Sequence, residues 1–207
     1  MVGLHPITAE SFAIIDREIG SHSFSPAEYA IARRVIHSTA DFEFKHLLRF
    51  SEGAIEGAIA ALRQGVPIVT DVNMVQQGIA SAVARSFQNP IASAVAQVTE
   101  ALPGKTRTET GLLQCWQQTP EAIFLIGNAP TALLALCDVI RKAQASNQPT
   151  PALVVGVPVG FVSVVEAKAA LAATEVPQIR VEGRKGGSPV AAAILNALIA
   201  LAQEAGN

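Results

Sequence analysis

Four short segments in the later two-thirds of the chain carry residue types suited to holding anions. They are Thr70-Asp71-Val72-Asn73, Gly127-Asn128-Ala129-Pro130-Thr131, Gly156-Val157-Pro158-Val159-Gly160-Phe161 and Glu182-Gly183-Arg184-Lys185-Gly186-Gly187-Ser188. Each follows a short apolar run and leads into a helical pattern. Unpaired first-turn amides and the helix dipole attract negative charge at such places, and glycine lets the backbone come close to a ligand. Several such segments on one edge suit a ligand with several negative groups. Arg184 and Lys185 add positive charge to a glycine turn, which fits a carboxylate or phosphate. The alternative is a tight strand-to-helix turn whose basic side chains are merely solvated.

A proton donor is the second ingredient. His37 falls at the end of a helix opened by Ser25, where the negative end of the dipole favours imidazolium, so it is a candidate general acid. The competing reading is a histidine that only caps its own helix. His5 and His22 lie in turns and are expected to be solvated, while His46, beside Lys45, is expected at a surface or interface. Cys115 and Cys137 stand far apart with no Cys or His clustering, so they read as buried thiols rather than a zinc site or disulfide. No Walker motif, no GxGxxG and no GxSxG elbow occurs, which leaves nucleoside triphosphates, dinucleotides and a serine nucleophile without a fingerprint.

The elements that must position these residues are signalled in order. A helix runs from Thr8 to a stop at Gly20. A second opens on Ser25-Pro26-Ala27-Glu28, a capping box with proline at the first helical position, and runs to about His37. A third begins after Ser51 and stops at Gly65. Beyond it, residues 66–71, 91–98, 122–128, 152–157 and 178–183 are β-branched-rich runs of continuous apolarity, as strands buried on both faces require. Between them, Thr106 to Glu109 and Ser163 to Glu166 read as capping boxes, and Ser188-Pro189 as a cap with a first-turn proline. Alternating strands and helices predict an α/β fold: a doubly wound, mostly parallel central sheet with helices on both faces, Rossmann-like in topology but without the dinucleotide fingerprint. Ligands of such sheets bind beyond the carboxyl ends of the strands, near a switch in strand order.

Composition narrows the classes further. The chain has 207 residues, with 15 Lys+Arg against 17 Asp+Glu and a formal net charge of −2, which suits one domain with an N-terminal helical segment, about residues 8–65. Half the residues are hydrophobic and 15% are charged, below the roughly 25% of an average domain, so a large core is expected and disorder is not. Without a Lys/Arg stripe, nucleic acid and acidic membranes are poor partners. Apolar stretches are interrupted before the roughly 20 residues a bilayer requires, and the first residues lack a leader pattern, so a soluble cytoplasmic protein is expected.

Five segments in order, RRVIHSTADFEF, GVPIVTDVNMVQQGI, GNAPTALL, GVPVGFVSVVEAK and EGRKGGSPVAAAILNAL, together closely resemble the precorrin-8X methylmutase family, which includes the cobalt-precorrin-8 methylmutases of corrin biosynthesis. The resemblance runs from SFAIIDREI near the start to the final helix, so the whole chain, 1–207, reads as one methylmutase domain. It implies an isomerase that moves one methyl group of the tetrapyrrole from ring carbon eleven to ring carbon twelve, giving hydrogenobyrinate or cobyrinate. It also implies no separate cofactor, no protein-bound metal, a homodimer with a cleft near the subunit interface, and a corrinoid product that is held tightly.

By the same resemblance, His37 is the acid toward the ring, and Ser11 and Arg107 are substrate contacts. Asp71, Asn128, Gly160 and Arg184 match motif positions of the family's binding site. Ala40 stands where a small residue, often glycine, is expected in the turn after the histidine. Two other readings compete with the enzyme: a non-catalytic corrinoid carrier, and an unrelated α/β enzyme of a small anionic metabolite. Whether the natural substrate already holds cobalt is left open.

Overall fold

A computed structural model describes residues 5–205. Helices α1 (Pro6–Glu18) and α2 (Pro26–Thr39) come first, followed by a short α3 (Phe44–Leu47), strand β1 (Leu48–Phe50) and α4 (Ala54–Arg63). Strands and helices then alternate: β2 (Ile68–Thr70), α5 (Asn73–Ala84), β3 (Ile91–Ser93), α6 (Ala94–Gln97), α7 (Arg107–Gln118) and β4 (Ile123–Ile126). The chain continues through α8 (Pro130–Ala145), β5 (Leu153–Gly156), α9 (Val164–Ala172) and β6 (Gln178–Val181), and the last element is α10 (Ser188–Glu204).

The six strands form one sheet in the order β1-β6-β5-β4-β2-β3. Only β1 is antiparallel, pairing Leu48 with Val181 and Phe50 with Ile179; the remaining pairs are parallel. The protein is thus an α/β fold on a mixed, mostly parallel sheet with flanking helices. Strand order reverses between β2 and β4, because the chain winds from β2 outward to β3 and then returns past β2 to β4.

Burial on both faces explains the unbroken apolar runs. Ile123 and Leu125 of β4 point into a core shared with α1, α2, α4, α5 and α10, while Phe124 and Ile126 point into another shared with α7, α8 and α9. The α10 helix, with Ala and Leu on most sides, lies deep in the first layer against α2, α4 and α5. Arg63 donates from Nε and Nη2 to the Ala202 carbonyl at 3.0 and 2.7 Å, placing a cation at the negative end of that helix. Among the described residues, no helix is long and apolar enough to cross a membrane.

Several local expectations hold, and others are replaced. Ser25 and Glu28 form both bonds of the capping box. Thr106 accepts from the Glu109 amide at 3.1 Å, but the Glu109 carboxylate pairs with Lys105 instead of closing the box. Ser163 is left-handed, φ 58°, and its side chain caps nothing; Ser188 lies inside α10, with Gly187 at the cap position. The run 91–98 is a strand only to Ser93, then turns into α6. Its Ala94 carbonyl lies so close to Gly111 of α7 that a Cβ there would sit 1.8 Å away, and that packing outweighs local β propensity.

Candidate active site

At the strand-order reversal the loops after β2 and β4 meet around a buried acid. Asp71 is fully buried, and its Oδ2 accepts the Asn128 and Ala129 amides at 2.6 and 2.8 Å while Oδ1 accepts the Val72 amide at 2.9 Å. Burial pushes its pKa above the ordinary carboxylate value, against the opposing pull of the amides of Asn128, Ala129, Gly127 and Val72. Gly127 completes the turn because a Cβ would come within 2.9 Å of the Ser188 Cα. Asp71 is therefore enclosed by the turn it shapes. The amides it engages are spent on it, so they are not open to an anionic ligand, as the loop composition had suggested. Asn128 stands exposed on that turn.

Two strands away, the loops after β5 and β6 are bound to each other. The Gly160 amide donates to the Arg184 carbonyl at 3.2 Å, and the Gly187 amide to the Val157 carbonyl at 2.8 Å. Gly186 permits this approach: at φ +152° a Cβ would fall 2.2 Å from the Val157 oxygen. Arg184 is exposed, its guanidinium 5.5 Å from the centre of the Phe161 ring, and Phe161 and Val162 are 84% and 80% exposed. Lys185, paired in sequence with Arg184 as a site for an anion, instead donates to Asp41 and Glu43, each at 2.6 Å. Those ion pairs raise the Lys185 pKa and hold the Asp41 carboxyl below the usual carboxylate range.

That contact brings in the end of α2. His37 lies in its last turn, exposed, with its imidazole edge-on to Phe12 of α1 at 5.3 Å between ring centres and 84° between planes. Ser11 precedes Phe12, and its hydroxyl donates to the Ile7 carbonyl at 2.9 Å. Ala40 ends α2 in the left-handed conformation, φ 53°, the geometry glycine adopts without penalty, and the chain then turns through Asp41 to Lys185. His5 and His22 are exposed, as expected; His22 also stacks on Tyr29 at 4.6 Å between ring centres, and His5 caps α1.

Arg107 begins α7 and donates to the Val95 carbonyl at 3.0 Å; the Val95 amide in turn donates to the Asp71 carbonyl. Thr106 and Thr131 meet at 3.2 Å between hydroxyls, setting Arg107 beside the Asn128 turn. The sheet edge therefore holds two groups of the expected residues: Asp71, Asn128 and Arg107 around the reversal, and Gly160, Arg184, His37 and Ser11 toward β6. From β6, which leads to Arg184, to β2, which leads to Asp71, is three strand spacings of about 4.8 Å, on the order of 14 Å, while the loops carrying Asn128 and Gly160 follow adjacent strands. Two residues went unnoticed in sequence. Lys168 is buried, yet read as one more residue of α9; Asp41 meets Lys185 across more than 140 positions, and no local pattern announces such a pair.

Comparison with known proteins adds an independent observation about the whole chain. The family model of precorrin-8X methylmutase matches residues 6–201. The cobalt-precorrin-8 methylmutase of Synechocystis sp. is 58% identical, over 98% of each chain. The precorrin-8X methylmutase of Sinorhizobium sp. is 37% identical, over 93% of this chain and 92% of its own. A crystal structure of precorrin-8X methylmutase from Thermus thermophilus superposes with a TM-score of 0.87 at 44% identity, covering 98% of this chain and all of that one. With a matching family model along nearly its whole length and a shared fold, the chain belongs to the precorrin-8X methylmutase family.

Proposed function

We propose that the protein is the isomerase that moves a methyl group from ring carbon eleven to ring carbon twelve of cobalt-precorrin-8, giving cobyrinate. Membership of the methylmutase family carries the isomerase activity. The preference for the cobalt-bearing substrate over precorrin-8X is supported by the 58% identity to a cobalt-precorrin-8 methylmutase. The cobalt is part of the substrate.

The migration is intramolecular, so there is no second reactant to assemble. What the chain contributes is a fixed orientation of the ring and stabilisation of the charge that shifts as conjugation changes. His37 lends a proton to the macrocycle and a proton returns from it, since substrate and product share one formula. Arg184, Arg107 and Ser11 hold peripheral groups of the ring, Asn128 and Gly160 line its seat, and Asp71 acts from beneath by shaping the Asn128 turn. His37 and Arg107 sit on helices that flank opposite faces of the sheet, at separated points of one edge. A homodimer, with the exposed Phe161 and Val162 at the join, brings such points together over a ligand of macrocycle size.

The test is to follow the absorption spectrum and product mass of precorrin-8X and of cobalt-precorrin-8 with substoichiometric protein. Spectral conversion at unchanged mass over many turnovers is expected, faster with cobalt present. Conversion that stops at one pigment per site would favour a carrier. His37→Ala is expected to lower turnover by about 10²–10⁴-fold while pigment binding persists; near-normal turnover would remove the acid role.

A further inference from the structure

The GVPVGFVSVVEAK segment ends in a lysine that the proposed reaction does not use. Lys168 lies on the core-facing stripe of α9 with Val164, Ala167 and Leu171, and is 3% exposed. Its ammonium donates to two backbone carbonyls, Gly183 at 2.8 Å and Lys185 at 2.6 Å, and to no carboxylate among the described residues. A buried cation without a counter-charge is costly, and a methionine would fill the same stripe without that cost. Packing therefore does not explain the residue, whereas its two acceptors do: they lie on either side of Arg184.

Three bonds converge on that one residue. The carbonyl before it and the carbonyl after it are drawn inward to Lys168, and its own carbonyl accepts the Gly160 amide. The peptide planes around Arg184 are thus set from below, and the side chain leaves the turn toward solvent over Phe161. Gly183 and Gly186, at φ +69° and +152°, give the segment no stiffness of its own.

We propose that Lys168 is a positioning residue for Arg184, fixing the turn so that the guanidinium meets a peripheral carboxylate of the bound ring. The inference rests on the reading of Arg184 as a substrate contact. A contact made equally in the ground and transition states appears in KM and leaves kcat alone.

Steady-state turnover of cobalt-precorrin-8 by the full chain tests it, with Lys168→Met, Arg184→Ala and the double variant. Lys168→Met is expected to raise KM about tenfold with kcat within about threefold of wild type, a loss equivalent to about 1.4 kcal/mol. The double variant is expected to match Arg184→Ala, because a guanidinium that is absent has no position to lose. If Arg184→Ala raises KM and Lys168→Met does not, or if the two effects multiply, the positioning role is overturned and the Arg184 contact stands. If Arg184→Ala leaves KM unchanged, the contact itself falls, and the positioning role with it. Should Lys168→Met not fold, Lys168→Gln, uncharged but still a donor, supports the same comparison.

Discussion

The turn after β4 and the turn after β6 are both fixed by one buried ionisable side chain, but with opposite polarity. Asp71 draws amides inward, and Lys168 draws carbonyls inward. The acid spends the donors that would have met an anion and leaves Asn128 exposed outside. The lysine spends acceptors, which an anionic ligand has no use for, and leaves Arg184 outside. Two glycine loops of similar composition thus present different groups at the sheet edge, and the difference comes from what lies beneath each one.

Removing each support separates the two. Asp71→Ala has the largest expected effect: three amides lose their acceptor in a dry site, at about 1–3 kcal/mol each, partly relieved by water entry. A loss of about 3–5 kcal/mol in denaturant unfolding is expected. A loss below about 1 kcal/mol would mean that the turn holds without its acid, and the parallel with Lys168 would fail.

Lys168→Met is expected to leave stability near wild type or above it. Burial pushes the Lys168 pKa down to about 8, below its free value, so the folded state holds that proton less tightly than the unfolded chain does. Wild-type stability then rises as pH climbs from about 8 toward the free lysine value. The advantage of the methionine variant, followed by thermal unfolding, should be greatest at pH 7 and shrink over that window. A difference that is flat with pH would place the ammonium in water.

Ala40 bears on how the β6 side is tethered. Its left-handed backbone costs an L-residue about 1–2 kcal/mol, so Ala40→Gly is expected to gain about 1 kcal/mol in unfolding free energy, net of glycine's entropy. A loss would show that the methyl group packs. Lys185→Met should have the smallest effect, and an acid-sensitive one. The Asp41 pKa is lowered in the folded state, so its contribution is complete above the ordinary carboxylate value and is lost as pH falls through the lowered one. The thermal midpoints of variant and wild type should converge in that acid window.

Much of this was legible in the residues. Strand runs 66–71, 122–128, 152–157 and 178–183 contain β2, β4, β5 and β6, because burial on both faces leaves an unbroken apolar signature. The capping box at Ser25 was legible for the same local reason. Strand β1 was not: three residues with Arg49 in the middle, paired only to β6, carry neither alternation nor length. Ser163 and Ser188 misled because a capping pattern states preference, while φ at those positions follows from how α9 and α10 meet the loops before them. At the site, motif positions and glycine turns picked out residues such as Asn128 and Arg184 that the fold leaves exposed on its loops. The buried charges beneath them depend on carbonyls and carboxylates far away in sequence, which spacing does not encode.

The packing of α2 along α10 also sets the order in which the molecule can be built. The apolar faces of α2 and α4 are made first, yet their cover, α10, is synthesised about 150 residues after α2. At about 5–20 residues per second, that interval is on the order of ten seconds. Until α10 is made, the faces of α2 and α4 that it covers have no partner from that helix, so the layer carrying His37 cannot complete its packing before then.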